Sequence, residues 1–242
     1  MITIVWISMT FVVLILMYAY HRQKVEPRIG STLYDLFKES MSTMDKSHTP
    51  KVVLFGDSIL NNSRYVSLGN SVGASLRDIY GANLKMYAQD GASINNVYAQ
   101  LEQFSTYNND SETDDLHIVI SAGGNNMLNA MQVHALNDSS VDKIASQYSR
   151  LMNHVCKMYP NAHVYLLNVY YPTNKPYNKI AKYVTRWNDT VKTMVEEKDR
   201  TVLIRIDEIC TEEEDFINDI EPSSIGGKKI ADIIVQNVNE QS

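Results

Sequence analysis

The chain has 242 residues, 44% hydrophobic and 21% charged, the proportions of an ordinary globular protein. Its formal net charge is -6 and it has no Lys/Arg stripe interleaved with aromatics, which excludes a nucleic-acid-binding surface as the basis of function. Its two cysteines, Cys156 and Cys210, lack metal-ligand spacing; they pair only if the fold brings them together, and otherwise are buried thiols.

In chain order, the first feature is Ile2–Tyr20, an uncharged apolar run long enough to cross a bilayer as a helix, with Trp6, Tyr18 and Tyr20 suited to the interfaces. It lacks the basic n-region and small-residue cleavage site of a signal peptide, so residues 1–20 read as a retained, single-pass transmembrane anchor. His21, Arg22, Lys24 and Arg28 follow it, and the positive-inside rule then places the main domain on the cytoplasmic side. Residues 21–50 read as a polar connector, with a short amphipathic helix from Ser31. Beyond Pro50 the composition changes, and residues 51–242 have the length of one domain with its own core.

Within that domain Lys51–Phe55 is a short apolar run stopped by Gly56, the pattern of a buried parallel strand. Further strands are predicted at Leu84–Ala88, Leu116–Ser121, Ala162–Val169 and Thr201–Ile206. Helical spacing occupies Leu68–Tyr80, Ile94–Phe104, Val141–Met158, Tyr177–Glu197 and Gly227–Val238. Five strands alternating with helices imply a three-layer α/β/α fold around a parallel sheet.

The chemically suggestive residues fall at the carboxyl ends of these strands, where open parallel sheets gather ligands. Gly56-Asp57-Ser58 follows the first strand, where a tight turn into a helix would expose the serine hydroxyl beside amide donors. Alone it is equally a turn with Ser58 as helix cap. Gln89-Asp90-Gly91-Ala92 follows the second strand and offers the Gly91 N–H to a bound oxygen. Gly123-Gly124-Asn125-Asn126 follows the third, leaving the Asn125 amide able to point across the strand ends. Serine hydroxyl, glycine N–H and asparagine amide are the parts that hold a tetrahedral oxyanion.

In this order KVVLFGDSIL, AQDGAS, ISAGGNNML and the C-terminal IEPSSIGGKKIAD resemble the four blocks of the SGNH (GDSL-like) hydrolase superfamily, over about residues 51–238. The resemblance implies a flavodoxin-like strand order 2-1-3-4-5 and ester hydrolysis, with Ser58 as nucleophile and Ser58 N–H, Gly91 N–H and the Asn125 side chain as oxyanion hole.

The last block departs from the family's D-x-x-H-P. Aligned on Pro222, it has Glu221 at the place of the catalytic histidine and Asn218 at the place of the aspartate that orients it; Asn126 replaces the third block's aspartate. A carboxylate, with an ordinary pKa of about 4.3, is a weaker base than histidine by about two units unless burial raises it. Glu221 is thus either an atypical base beside Ser58 or a solvated carboxylate near the final helix. Among the histidines, His117 and His163 start strands at the opposite end, His154 lies on a helix, and His134 alone is placed to substitute. The run Glu212-Glu213-Glu214-Asp215 reads as a solvated loop, and no zinc or phosphate-loop signature implies a cofactor or metal.

Two functions follow. One is a serine hydrolase of small acyl or acetyl esters of carbohydrate or lipid; the other is an inactive SGNH-fold module that binds a ligand or protein partner in the same cleft at the membrane. A flavodoxin-like nucleotide binder is disfavoured by the absence of a Gly-rich phosphate loop after the first strand.

Overall fold

The computed structural model describes residues 49–107, 115–172 and 179–241. The expected anchor and the helix from Ser31 lie outside these residues; among the described residues no helix is long and apolar enough to cross a membrane. Pro50 opens the compact unit that carries the site.

Five parallel strands form one sheet in the order β2-β1-β3-β4-β5. They are β1 (Lys51–Gly56), β2 (Leu84–Met86), β3 (Leu116–Ser121), β4 (His163–Leu167) and β5 (Thr201–Ile204). Central β1 and β3 pair over their whole length, from Lys51 with Leu116 to Gly56 with Ser121, and both are buried on both faces. Alternate residues feed two separate cores because side chains alternate across a strand. Val53, Phe55, Ile118 and Ile120 pack under α2 (Ile94–Tyr107), α4 (Asp138–Met158) and α5 (Ala181–Glu196). Val52, Leu54 and Val119 pack under α1 (Val72–Tyr80) and α7 (Ser224–Gln241) on the other face. Each wholly buried Leu, Ile, Val or Phe contributes on the order of 1.5–3 kcal/mol relative to exposure. This is the three-layer arrangement and strand order expected.

The differences are local and bear on the site. β2 stops at Met86, because the Tyr87 and Ala88 N–H groups both turn onto the Leu54 carbonyl and the chain leaves the ladder. The turn after β3 is not a loop but the start of α3 (Gly124–Gln132). After β5 come a one-turn helix, α6 (Ile206–Ile209), and an antiparallel hairpin of β6 (Phe216–Ile217) and β7 (Glu221–Pro222). Strands of two residues carry too little periodicity to be read from sequence. Cys156 and Cys210 are free thiols.

Candidate active site

The first strand ends where only glycine fits. Gly56 has φ +134°, and a Cβ there would lie 1.9 Å from the Ser121 carbonyl oxygen of β3. Its backbone is clamped by the buried Gln100 of α2, whose Oε1 accepts from Gly56 N at 2.7 Å and whose Nε2 donates to Gly56 O at 2.9 Å. The next residue, Asp57, closes a tight turn by accepting from Leu60 N and Asn61 N on its carbonyl. Its side-chain Oδ1 accepts from Ile59 N at 3.1 Å and from the Ser121 hydroxyl at 2.6 Å. Ser58 sits on this turn, 7% exposed. The expected helix does not follow at once: α1 begins only at Val72, with Ser71 as its cap and Val72 N donating to the buried Asn62 Oδ1. Amide groups at Ser58 therefore come from a turn, not a helix N-terminus.

The second and third blocks are stitched together. Gly91 lies in an exposed turn at φ +71°, closed by Ala92 N donating to Gln89 O. The Asn125 Nδ2 donates to the Ala92 carbonyl at 3.1 Å, and Asn126 Oδ1 accepts from Ile94 N at 3.0 Å, at the first residue of α2. Asn126, where the family has aspartate, thus ties the third block to the second. Gly123 lets α3 start here: φ is +104°, and a Cβ would meet the Trp187 ring at 2.2 Å.

The last block is held by a residue that the sequence reading placed in a solvated loop. Asp215 is fully buried, accepts from Thr211 N and Glu212 N at 3.1 Å, and pairs with Lys229 of α7 at 2.7 Å. The other acids of that run, Glu212, Glu213 and Glu214, are exposed. Ser223 caps α7, its hydroxyl accepting from Ile225 N and Gly226 N, so capping is not the role of Glu221. Asn218 and Asp219 turn the hairpin with φ of 50° and 73°, the left-handed conformation that Asn and Asp tolerate. Asn218 is exposed at that tip. Glu221 lies on β7 opposite Ile217 and is half-buried.

Ser58, Asn125 and Glu221 line one cavity of about 60 Å³, with Asp57 at its base. Its walls are largely apolar, with Ile59, Met127, Val169, Tyr170 and Val184 among them. Gly91 and Asn218 are not part of this lining. Two further tethers hold the walls. Asn188 clamps Val169 through both its amide atoms, at 2.9 and 2.8 Å, and Tyr170 donates its hydroxyl to Ile220 O at 2.6 Å. Neither long-range amide clamp, Gln100 or Asn188, has a sequence signature, because an amide in a helix reads as surface until its partner is known.

Burial sets the electrostatics. It raises the Glu221 pKa above the ordinary carboxylate value, with the Asp90 charge adding to the rise, while the Ser58 and Tyr65 hydroxyls stabilise the ionised form. Glu221 Oε2 remains buried without a well-formed hydrogen bond. Burial likewise pushes Asp57 up to about 7, opposed by the Ser121 hydroxyl and Ile59 N–H and raised further by the Glu221 charge. Among the described residues no histidine lines the cavity. His134 is exposed beyond the end of α3, and His117 is buried at the far end of the sheet, bonded to the Tyr165 hydroxyl at 2.7 Å and lowered to about 4 by burial. No group of three or more His, Cys, Asp or Glu among the described residues is arranged to hold a metal ion.

A five-stranded 2-1-3-4-5 sheet with a serine on the turn after its first strand is the SGNH-hydrolase fold. The chain belongs to the GDSL-like lipase/acylhydrolase family, whose profile matches residues 52–232. Solved structures agree in fold. A member of the lipolytic G-D-S-L family from Veillonella parvula superposes with TM-score 0.62 at 16% identity, covering 76% of this chain and 96% of that one. A catalytic mutant of an acetylxylan esterase from Geobacillus stearothermophilus gives 0.58 at 14% identity, covering 78% and 94%. A lipase from a goat rumen metagenome gives 0.59 at 16%, covering 76% and 95%. Comparison with curated protein sequences finds no match.

Proposed function

We propose that the protein is a serine esterase of short acyl esters in which Glu221 replaces histidine as the base for Ser58. The observation that carries this reading is a shared cavity: Ser58 and Glu221, a half-buried carboxylate of raised pKa, line one small apolar cavity. Glu221 takes the hydroxyl proton as Ser58 Oγ attacks the ester carbonyl. The oxyanion is held by N–H donors, for which Ser58 N–H and the second N–H of the Asn125 amide, both residues of the cavity lining, are the proposed set. Collapse breaks the ester C–O bond, Glu221 returns its proton to the leaving alkoxide, and the acyl group stays on Ser58. A water deprotonated by Glu221 then attacks the acyl-enzyme, releasing the carboxylic acid and restoring Ser58.

A carboxyl raised towards neutrality suits both halves of this cycle, since it must accept a proton and then donate it. A cavity of about 60 Å³ suits an acetyl-sized group better than a fatty acyl chain. The acetylxylan esterase likeness agrees with that class of acyl group. The test is hydrolysis of p-nitrophenyl acetate and octanoate by the parent and Glu221→Gln. Expected is faster turnover of acetate, lost by about 10²–10⁴-fold in the variant. A folded parent that hydrolyses neither ester would overturn the proposal in favour of a module that binds a ligand or protein in the cleft.

The enzyme is further proposed to act from a membrane, on the support of the apolar run Ile2–Tyr20 and the basic residues Arg22, Lys24 and Arg28 behind it, with its domain on the cytoplasmic side. Carbonate-resistant membrane association, lost on deleting residues 1–24, is the expected result. A mature chain beginning after Tyr20 contradicts it.

A further inference from the structure

The family orients its base with an aspartate three residues earlier, and here that position is Asn218, exposed at the tip of a hairpin. A carboxylate base on a two-residue strand still needs holding, because catalysis is sensitive to displacements of about 1 Å. The segment 61–65, just after the Ser58 turn, is built to supply this. Asn61 Nδ2 donates to the Ala88 carbonyl at 3.1 Å, fixing the segment to the second block. Asn62, fully buried, donates from Nδ2 to the carbonyl of Pro222 at 3.0 Å, one residue beyond Glu221. Tyr65 N donates to Asn62 O at 3.0 Å, so the tyrosine is carried on the turn that Asn62 anchors to β7. Arg64 Nε pairs with Asp90 Oδ2 at 3.4 Å on the same turn. The Tyr65 phenol is thereby carried towards Glu221, whose ionised carboxylate it favours.

We infer that Tyr65 is the positioning residue of Glu221: its phenol holds the carboxylate against Ser58 and replaces the orienting aspartate of the family. This rests on the proposed reading of Glu221 as base. Tyr65 is not among the residues that line the cavity, as suits a positioning residue. The groups facing Glu221 are few and can be named. The hydroxyls of Ser58 and Tyr65 favour its ionised form, the Asp90 charge opposes it, and the Asp57 and Tyr170 side chains are electrostatically coupled to it. Arg64 acts one step removed, by tempering Asp90 and Tyr65.

The test is Tyr65→Phe in the full-length chain, which keeps the ring and removes the donor. Glu221 is followed directly through its side-chain ¹³C resonance, assigned by its disappearance in Glu221→Gln, together with kcat and KM for p-nitrophenyl acetate across pH. Loss of a hydrogen bond to the charged form raises the pKa. Expected is titration of Glu221 at a pH higher by about one unit in Tyr65→Phe, with the acid limb of kcat moving the same way. At the plateau kcat should fall about tenfold while KM changes less than twofold. An unchanged Glu221 titration, or a moved titration with an unchanged kcat, overturns the inference. Full turnover in Glu221→Gln would instead defeat the base assignment, and the resonance would still report whether Tyr65 holds the carboxylate.

Discussion

The two halves of the candidate site are built differently. The corner that carries Ser58, the proposed nucleophile, is over-determined. Gly56 has no room for a side chain, Gln100 clamps its backbone from both sides, and Asp57 fixes the turn through Ile59 N and the Ser121 hydroxyl. Glu221, the proposed base, hangs instead from a hairpin of two-residue strands. Its anchors are the buried Asp215–Lys229 pair, the Asn62 bond to Pro222 O and the Tyr170 bond to Ile220 O. A corner inserted in a central parallel sheet tolerates little change. A hairpin outside the sheet leaves its side chains free to differ, and that is where the chain departs from the family pattern. In the proposed reading, the identity of the base differs from the family's while the backbone at Ser58 keeps its rigid turn.

Substitutions can break this comparison in order of expected effect. Ser58→Ala removes the attacking atom without disturbing the corner, and should lower ester turnover by about 10³-fold or more with unchanged circular dichroism. Residual turnover near that of the parent would move the chemistry elsewhere. Gly123→Ala probes the rigid side: a Cβ at φ +104° must meet the Trp187 ring, so a loss of about 1–3 kcal/mol and a lower Tm in thermal unfolding are expected. A Tm equal to the parent's would show that the ring yields freely. Gln100→Ala unclamps Gly56 and leaves its buried N–H without a partner, while its carbonyl keeps only the Gln89 N–H, costing about 1–3 kcal/mol in denaturant unfolding.

Asp57 sharpens the contrast through pH rather than through a fixed loss. Burial puts its carboxyl at about 7 in the folded chain, against about 3.9 for an unfolded aspartate. The folded state therefore binds the proton more tightly. The contribution of Asp57 is fully present below about pH 4 and is lost as pH rises through about 7. Asp57→Asn keeps an acceptor for Ser121 and Ile59 and removes the titration, so the stability of the parent relative to the variant should fall between pH 4 and 8. A constant difference across that range would contradict a buried, protonated carboxyl.

The sequence showed the sheet for a physical reason. Buried parallel strands are continuous apolar runs, and KVVLF and LHIVIS announce themselves locally. The position of Asn125 next to a strand end was legible because it follows β3 closely in sequence. What stayed hidden depends on contacts distant in sequence. Asn62 reaches across 160 positions to Pro222, Gln100 reaches across 44 to Gly56, and neither has local periodicity to betray it. Asp215 was misread because a run of four acids looks solvated, whereas one of them turns inward to Lys229. Helix α3 was missed because Gly123-Gly124 reads as a loop; the glycine is there to clear Trp187 at the helix start. Asn218 was assigned by alignment alone, and its left-handed turn conformation takes it to the surface.

The central claim is that Ser58 and Glu221 form an activated pair, and the rate of fluorophosphonate labelling tests it before any substrate is known. Labelling measured from pH 4 to 9 should fall on Ser58, accelerate as Glu221 ionises, and reach its plateau above the ordinary carboxylate range, since burial raises that group. In Glu221→Gln the rate should drop by about 10²–10⁴-fold and lose that pH dependence. A folded parent that the probe leaves unlabelled, or equal labelling rates in parent and Glu221→Gln, would contradict the pairing.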